Sequence, residues 1–164
     1  MISPLVSVAV VTYGHEGYIE RCLQGILKQR TTFPFEVVVG TDCSPDRTDA
    51  IVRDYACRFP EIVRAIFRDE NVGPLANNRD VLEKARGQYL AVCDGDDEWT
   101  DPFKLQKQVA WLEQHPDTVL VFTDIDQFYP SSGARIRGIQ QRLNPRLAEE
   151  PPCDWFEAVL LRQV

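Results

Sequence analysis

Apolar residues along this chain arrive in short unbroken runs, each followed by a stretch of mixed polarity with helical spacing. Residues 5–11 (LVSVAVV) form the first run. It is β-branched and free of charge, which predicts a strand buried on both faces. Within residues 16–30, Tyr18, Ile19, Cys22, Leu23, Ile26 and Leu27 recur at helical spacing and mark one apolar stripe. Residues 35–40 (FEVVVG) predict a second buried strand, and residues 41–47 a polar turn. Asp46 is placed to cap a helix over residues 48–59, with Ile51, Tyr55 and Ala56 facing inward. Residues 62–67 predict a third strand, residues 75–86 a helix that Gly87 stops, and residues 88–93 (QYLAVC) a fourth strand. Pro102 opens a further helix in which Leu105, Val109 and Leu112 share a face. Residues 118–123 (TVLVFT) predict a fifth strand.

Strands that are continuous apolar runs, alternating with helices, predict an α/β domain. Its sheet is mostly parallel, with helices on both faces. Such sheets bind ligands at the carboxyl ends of their strands. Thr12 and Tyr13, Asp42, and the run from Asp94 to Asp97 each follow a predicted strand end. Polar groups far apart in sequence are therefore expected to meet on one edge. After Tyr129 the periodicity fades. Residues 130–133 read as a turn, and the segment beyond carries Arg135, Arg137, Arg142 and Arg146, with Arg162 further on. Residues 155–161 read as the start of one more helix. The expected division is a core over residues 1–129 and, over 130–164, the start of an acceptor-side region that looks cut short.

Composition narrows the function. The chain has 164 residues, 44% of them hydrophobic, enough for one domain with a real core and too many for disorder. Its formal charge of −7 argues against a nucleic-acid footprint. An anionic substrate would be repelled unless a local cation or aimed backbone N–H groups intervened. Cys22, Cys43, Cys57, Cys93 and Cys153 form no CxxC pair, and the histidines are His15 and His115, so a zinc site and a disulfide framework are both disfavoured. Reduced thiols fit a cytoplasmic protein. No stretch approaches the roughly 18 apolar residues of a membrane span.

The sharpest chemical feature is Asp94-Gly95-Asp96-Asp97. Carboxylates crowded after an apolar strand repel one another unless a cation sits among them. Hard divalent ions take such oxygens, and Mg²⁺ commonly shares its shell between one or two carboxylates and substrate phosphates. A solvated acidic loop is the plain alternative. Asp42 can accept from a base or ribose donor, or it can close a turn, and the residues alone leave both roles open. Tyr13 can stack on a flat ring. His15 reads as a loop or cap residue, Trp99 as packing for the acidic loop, and Arg79 as a surface arginine. Asn77 lies at a helix start near the same edge.

These residues together resemble the nucleotide-sugar-binding half of a family 2 glycosyltransferase with the GT-A fold, a Rossmann-like α/β sheet. The resemblance runs from VSVAVVTYGHEGYIERCLQGILKQ through FEVVVGTDCSPDRTDAIV to NVGPLANNRDVLEKARGQYLAVCDGDDEWTDPFKLQKQVAWLEQHPD. It implies a metal-dependent, inverting transfer of sugar from a nucleotide-diphosphate donor, a UDP-sugar, to an unknown sugar, lipid-linked or protein acceptor. Thr12 and Tyr13 would line the uracil pocket, Asp42 would bond the base, and Asn77 would lie beside the nucleotide. Asp94 would lie near ribose and metal, and Asp96 would be the principal ligand of Mn²⁺ or Mg²⁺. Asp97 would support the loop or face the sugar. Relatives usually carry Asn where Gly14 stands and an acid where Thr41 stands. The general base is not identified; Asp97, Asp154 and Glu157 are the acids available to test. The implied location is cytoplasmic, with the inner face of the membrane as a further option.

Two other classes share parts of this pattern. One is a module that binds nucleotide sugar but needs a missing C-terminal half or a partner to transfer it. The other is a phospho-acceptor receiver domain, which would carry its acids at the first and third strand ends rather than the fourth. No GxGxxG fingerprint is present for an NAD enzyme.

Overall fold

The computed structural model describes residues 3–129, 131–139, 142 and 160–162. Its elements run β1 (Val6–Thr12), α1 (Ile19–Leu27), β2 (Phe35–Thr41), α2 (Thr48–Arg58), β3 (Val63–Ile66), α3 (Pro74–Glu83), β4 (Tyr89–Asp94) and α4 (Lys104–Gln114). Four short strands follow: β5 (Leu120–Val121), β6 (Gln127–Tyr129), β7 (Ala134–Ile136) and β8 (Leu160–Arg162). The main sheet has the order β3-β2-β1-β4-β8-β5. β3, β2, β1 and β4 are mutually parallel, and β8 runs antiparallel between β4 and β5. This is the α/β architecture that the alternating pattern predicts.

Both faces of the sheet are covered, so its central strands carry apolar residues at successive positions. Val8, Val10, Val37 and Val39 point into the larger core with Ile19, Leu23 and Ile26 of α1, Val52 and Tyr55 of α2, and Leu105 and Leu112 of α4. Ala9, Val38 and Leu90 point the other way, beneath Val81 of α3. Burying a side chain such as Leu23 contributes about 1.5–3 kcal/mol. The α3 face also holds a buried carboxylate. Glu36 accepts from the Ser7 hydroxyl at 2.8 Å, the Arg64 guanidinium at 3.0 Å and the Arg86 Nε at 3.0 Å.

Several boundaries differ from the sequence expectation. α1 begins at Ile19, because the chain turns first: the His15 carbonyl accepts from the N–H groups of both Tyr18 and Ile19. α3 ends at Glu83, because the Arg86 N–H leaves the helix to meet Ser7 Oγ at 3.0 Å and Glu36 Oε1 at 2.9 Å. On α2 the fully buried apolar positions are Val52 and Tyr55, with Ile51 and Ala56 half-buried against them. The fifth strand shrinks to Leu120–Val121, and Val119 and Phe122 beside it stand exposed.

The predicted terminal helix is overturned where it can be seen. Leu160–Arg162 is a strand whose backbone fills the ladder between β4 and β5. Pairing on both sides satisfies more backbone groups than a short helix lying outside the sheet. The remainder of that predicted helix, residues 155–159, lies outside the described residues. Among the described residues no helix is long and apolar enough to cross a membrane.

Candidate functional site

Register brings the candidate residues together. Thr12 lies opposite Thr41 across β1 and β2, and Val11 lies opposite Asp94 across β1 and β4. The residues that follow therefore leave the sheet side by side on its carboxyl edge. Thr12 is buried, while Tyr13 is 48% exposed. Gly14 has φ 69°, a left-handed turn that glycine adopts without strain. Its N–H meets Ser44 Oγ at 3.3 Å, and the His15 N–H meets Thr48 Oγ1 at 2.8 Å. Asp46 accepts from the Thr48 N–H at 2.9 Å, beside the Arg47 cap position. The loops after β1 and β2 are thus tied to each other.

The acidic loop is held from below. The Gly95 N–H donates to the Val11 carbonyl at 2.9 Å, and the Asp97 N–H to the Asp94 carbonyl at 3.0 Å. Trp99 is buried, and its backbone lies against Gly25 of α1: a Cβ there would stand 2.7 Å from the Trp99 carbonyl oxygen. The buried Lys104 ammonium sits 4.8 Å from the Trp99 ring centroid and donates to Gln108 Oε1 at 2.8 Å. Below Asp94, the free thiols of Cys22 and Cys93 lie 3.8 Å apart, and Cys22 donates to the Asp94 carbonyl at 3.5 Å. Trp99 therefore packs as expected, and His15 lies in the loop, 3.2 Å from Thr12 Oγ1.

Asp94, Asp96 and Asp97 reach solvent, and none forms an ion pair among the described residues. Partial burial first, and the charge of Asp96 second, push the Asp94 carboxyl above the usual carboxylate range, against a pull from His15. Asp97 is raised by burial, then by Asp96 and Asp94. Crowded acids with raised pKa values are a site that a cation would relieve.

Asp42 is almost wholly buried. Its Oδ1 accepts from the Val72 N–H at 2.8 Å and its Oδ2 from the Gly73 N–H at 2.9 Å. It closes a turn, and each oxygen still has a lone pair to offer. Asn77 is buried as well, its amide donating to the Gly40 carbonyl at 2.9 Å. A Cβ at position 40 would press on the Asn77 amide oxygen and on Val81 Cγ2, so a larger residue there would have to displace both side chains. Arg79 is exposed and paired with Glu83 at 2.7 Å, as a surface arginine.

Beside the acidic loop opens a cleft of about 690 Å³. Tyr18, just before α1, and Arg21 of α1 line it on one side, Asp96 and Asp97 from the loop, and Asp126, Phe128 and Arg135 from the segment around the β6–β7 hairpin. Asp126 lies 3.6 Å from Arg135 and 3.9 Å from Arg137. Sequence reasoning missed the hairpin and this wall. The signal was the turn at residues 130–133 between two short runs, which is hairpin spacing. Asp154 and Glu157 lie outside the described residues.

The donor set suits a hard divalent cation, since Asp94 and Asp96 offer only carboxylate oxygens. Among the described residues no group of three or more His, Cys, Asp or Glu side chains is arranged to enclose an ion.

The chain is similar to known proteins in sequence and in fold. The sequence profile of "Glycosyl transferase family 2" matches residues 7–161. The protein Rv1520 of Mycobacterium tuberculosis is 43% identical over 149 residues, which is 91% of this chain and 40% of that protein. The chain thus spans less than half the length of that relative. Among solved structures, the mannosyltransferase PcManGT of Pyrobaculum calidifontis, in complex with GDP-Man and Mn²⁺, superposes with a TM-score of 0.71 at 25% identity. The match covers 99% of this chain and 45% of that one. TarS of S. aureus in complex with UDP-GlcNAc gives 0.69 at 25% identity over 96% of this chain and 45% of that one.

Proposed function

The chain belongs to glycosyl transferase family 2, and from that premise we propose that it binds a nucleoside-diphosphate sugar, a UDP-sugar, for metal-dependent, inverting transfer to an acceptor hydroxyl. The observation that carries this reading is the shared edge: the ends of β1, β2 and β4 set Tyr13, Asp42 and the Asp94–Asp97 loop side by side. Open α/β sheets bind ligands at the carboxyl ends of their strands, and along that edge Asp42 after β2 comes first, Tyr13 after β1 next and the acidic loop after β4 last.

Tyr13 offers its exposed ring to the base, and Asp42 accepts from a ring N–H while Val72 and Gly73 hold its carboxylate in place. Thr12 supports the pocket floor, and Asn77 acts through the backbone of Gly40 rather than by direct contact. Asp94 lies toward the ribose. Asp96, with Asp94, would hold Mn²⁺ or Mg²⁺, which when bound offsets the charge of the departing nucleoside diphosphate. The ion answers the repulsion expected of a chain with net charge −7. Asp97 faces the cleft where the sugar and acceptor would meet.

Inversion needs a base opposite the leaving group to take the acceptor proton. Asp97 stands in the cleft, and Asp154 and Glu157 are the remaining acids to test. If none serves, the chain is the donor-binding part of a longer transferase, in keeping with its span of 40% of Rv1520. A nucleotide-sugar donor suits a cytoplasmic enzyme, with the inner face of the membrane as a further option.

The test is calorimetric titration of UDP, GDP and their sugar conjugates in the presence of Mn²⁺, paired with a transfer assay. UDP and UDP-sugars are expected to bind most tightly. Equal affinity for UDP and GDP contradicts the uracil reading.

A further inference from the structure

Arg68 follows β3 and lies beneath the loop that carries Asp42. Its side chain is 13% exposed. The guanidinium reaches three neighbours: Asp80 Oδ2 at 2.7 Å, the Asn77 amide oxygen at 3.4 Å, and Asp42 Oδ1, which lies 3.8 Å from Nε. The last distance is too long for a hydrogen bond, and Nε is buried with no hydrogen-bond partner. A buried donor left unpaired is costly, so native structures seldom keep one without a use. The Asp42 oxygen that it faces at 3.8 Å already accepts from the Val72 N–H.

We propose that Arg68 is a positioning residue of the base pocket: it aligns the Asp42 carboxylate from beneath and so sets which nucleobase the site prefers. The inference rests on the reading that Asp42 contacts the base. Arg68 is fixed to α3 through Asp80 and Asn77, and Asn77 is fixed to β2 through the Gly40 carbonyl. The guanidinium therefore has a rigid frame on the side away from solvent. Asp42 receives Val72 and Gly73 N–H groups from the loop, and the Arg68 charge from below. Loss of the guanidinium removes the charge that faces Asp42 Oδ1 and leaves the Val72 and Gly73 N–H groups alone to orient the carboxylate, which weakens an oriented contact more than a diffuse one.

The test is a double-mutant cycle on nucleotide binding. Affinities for UDP and CDP, with Mn²⁺, are measured by calorimetry for the wild type, Arg68→Met, Arg68→Lys, Asp42→Ala and the Arg68→Met/Asp42→Ala pair. The expected result is a tenfold or greater loss of UDP affinity in Arg68→Met, with the UDP-to-CDP ratio moving toward one. Arg68→Lys should recover part of both, and Arg68→Met should add little once Asp42 is Ala. An unchanged UDP-to-CDP ratio in Arg68→Met overturns the proposal, as does a full Arg68→Met effect in the Asp42→Ala background. If Arg68→Met does not fold, Arg68→Lys decides: a lowered ratio supports the proposal and a wild-type ratio overturns it. Wild-type affinity and ratio in Asp42→Ala would instead remove the reading on which the proposal rests.

Discussion

Gly95 packs so closely on Thr12 that a Cβ at position 95 would stand 2.5 Å from Thr12 Oγ1 and 2.6 Å from its Cβ. The acidic loop can thus lie down on the end of β1 only because its second residue has no side chain. This contact, with the Gly95 N–H bond to Val11, sets the height of Asp94 and Asp96 above the sheet.

Gly95→Ala should therefore lift the loop. Overpacking of this kind costs about 1–3 kcal/mol, and nucleotide affinity should fall with it. Gly17→Ala is the control, because a Cβ there meets nothing within 4 Å. Denaturant unfolding and UDP titration of both variants check this. Equal behaviour of the two would mean the loop does not depend on the Gly95 contact.

Asp97→Asn should stabilise the metal-free chain at neutral pH. Burial, then Asp96 and Asp94, raise the Asp97 carboxyl above its usual range. A carboxyl raised in the folded state favours folding when protonated, and that advantage is lost as pH rises through its folded pKa. The ionised wild type thus carries a penalty that asparagine lacks. Thermal melts in EDTA should show the variant ahead at neutral pH, with the gap closing as pH falls into the carboxylate range. A gap independent of pH would contradict the account.

Glu36 should behave in the opposite sense. Burial alone would raise its pKa, but hydrogen bonds from Arg86, Ser7 and Arg64 outweigh burial and hold it below the usual glutamate value. Its contribution is complete above the unfolded pKa and is lost as pH falls through the lower folded one. Glu36→Gln should cost about 1–3 kcal/mol at neutral pH, the scale of broken charge-assisted bonds to a buried group. The cost should shrink in acid. Chemical denaturation across pH reads both effects.

The alternation of apolar runs and helical stripes made the central sheet legible, because strands buried on both faces have no polar positions to confuse the period. The shared edge was legible for the same reason: Asp42 and Asp94 each follow such a run. What the sequence hid lies where burial is one-sided or pairing is long-range. Leu160–Arg162 pairs with β4 across some seventy residues, and its short apolar run reads equally well as helix. The β6–β7 hairpin carries exposed residues on every strand position but one, so its period is flat. Arg68 gave no signal at all, since its role depends on Asp42, Asn77 and Asp80 meeting in space.

The most direct test of the central claim is UDP binding measured by calorimetry with Mn²⁺ and with EDTA, in the wild type and in Asp96→Ala. The account predicts Mn²⁺-dependent binding in the wild type, loss of that binding in EDTA, and loss of it in the variant with the fold retained by circular dichroism. Equal UDP affinity in all of these conditions would contradict it.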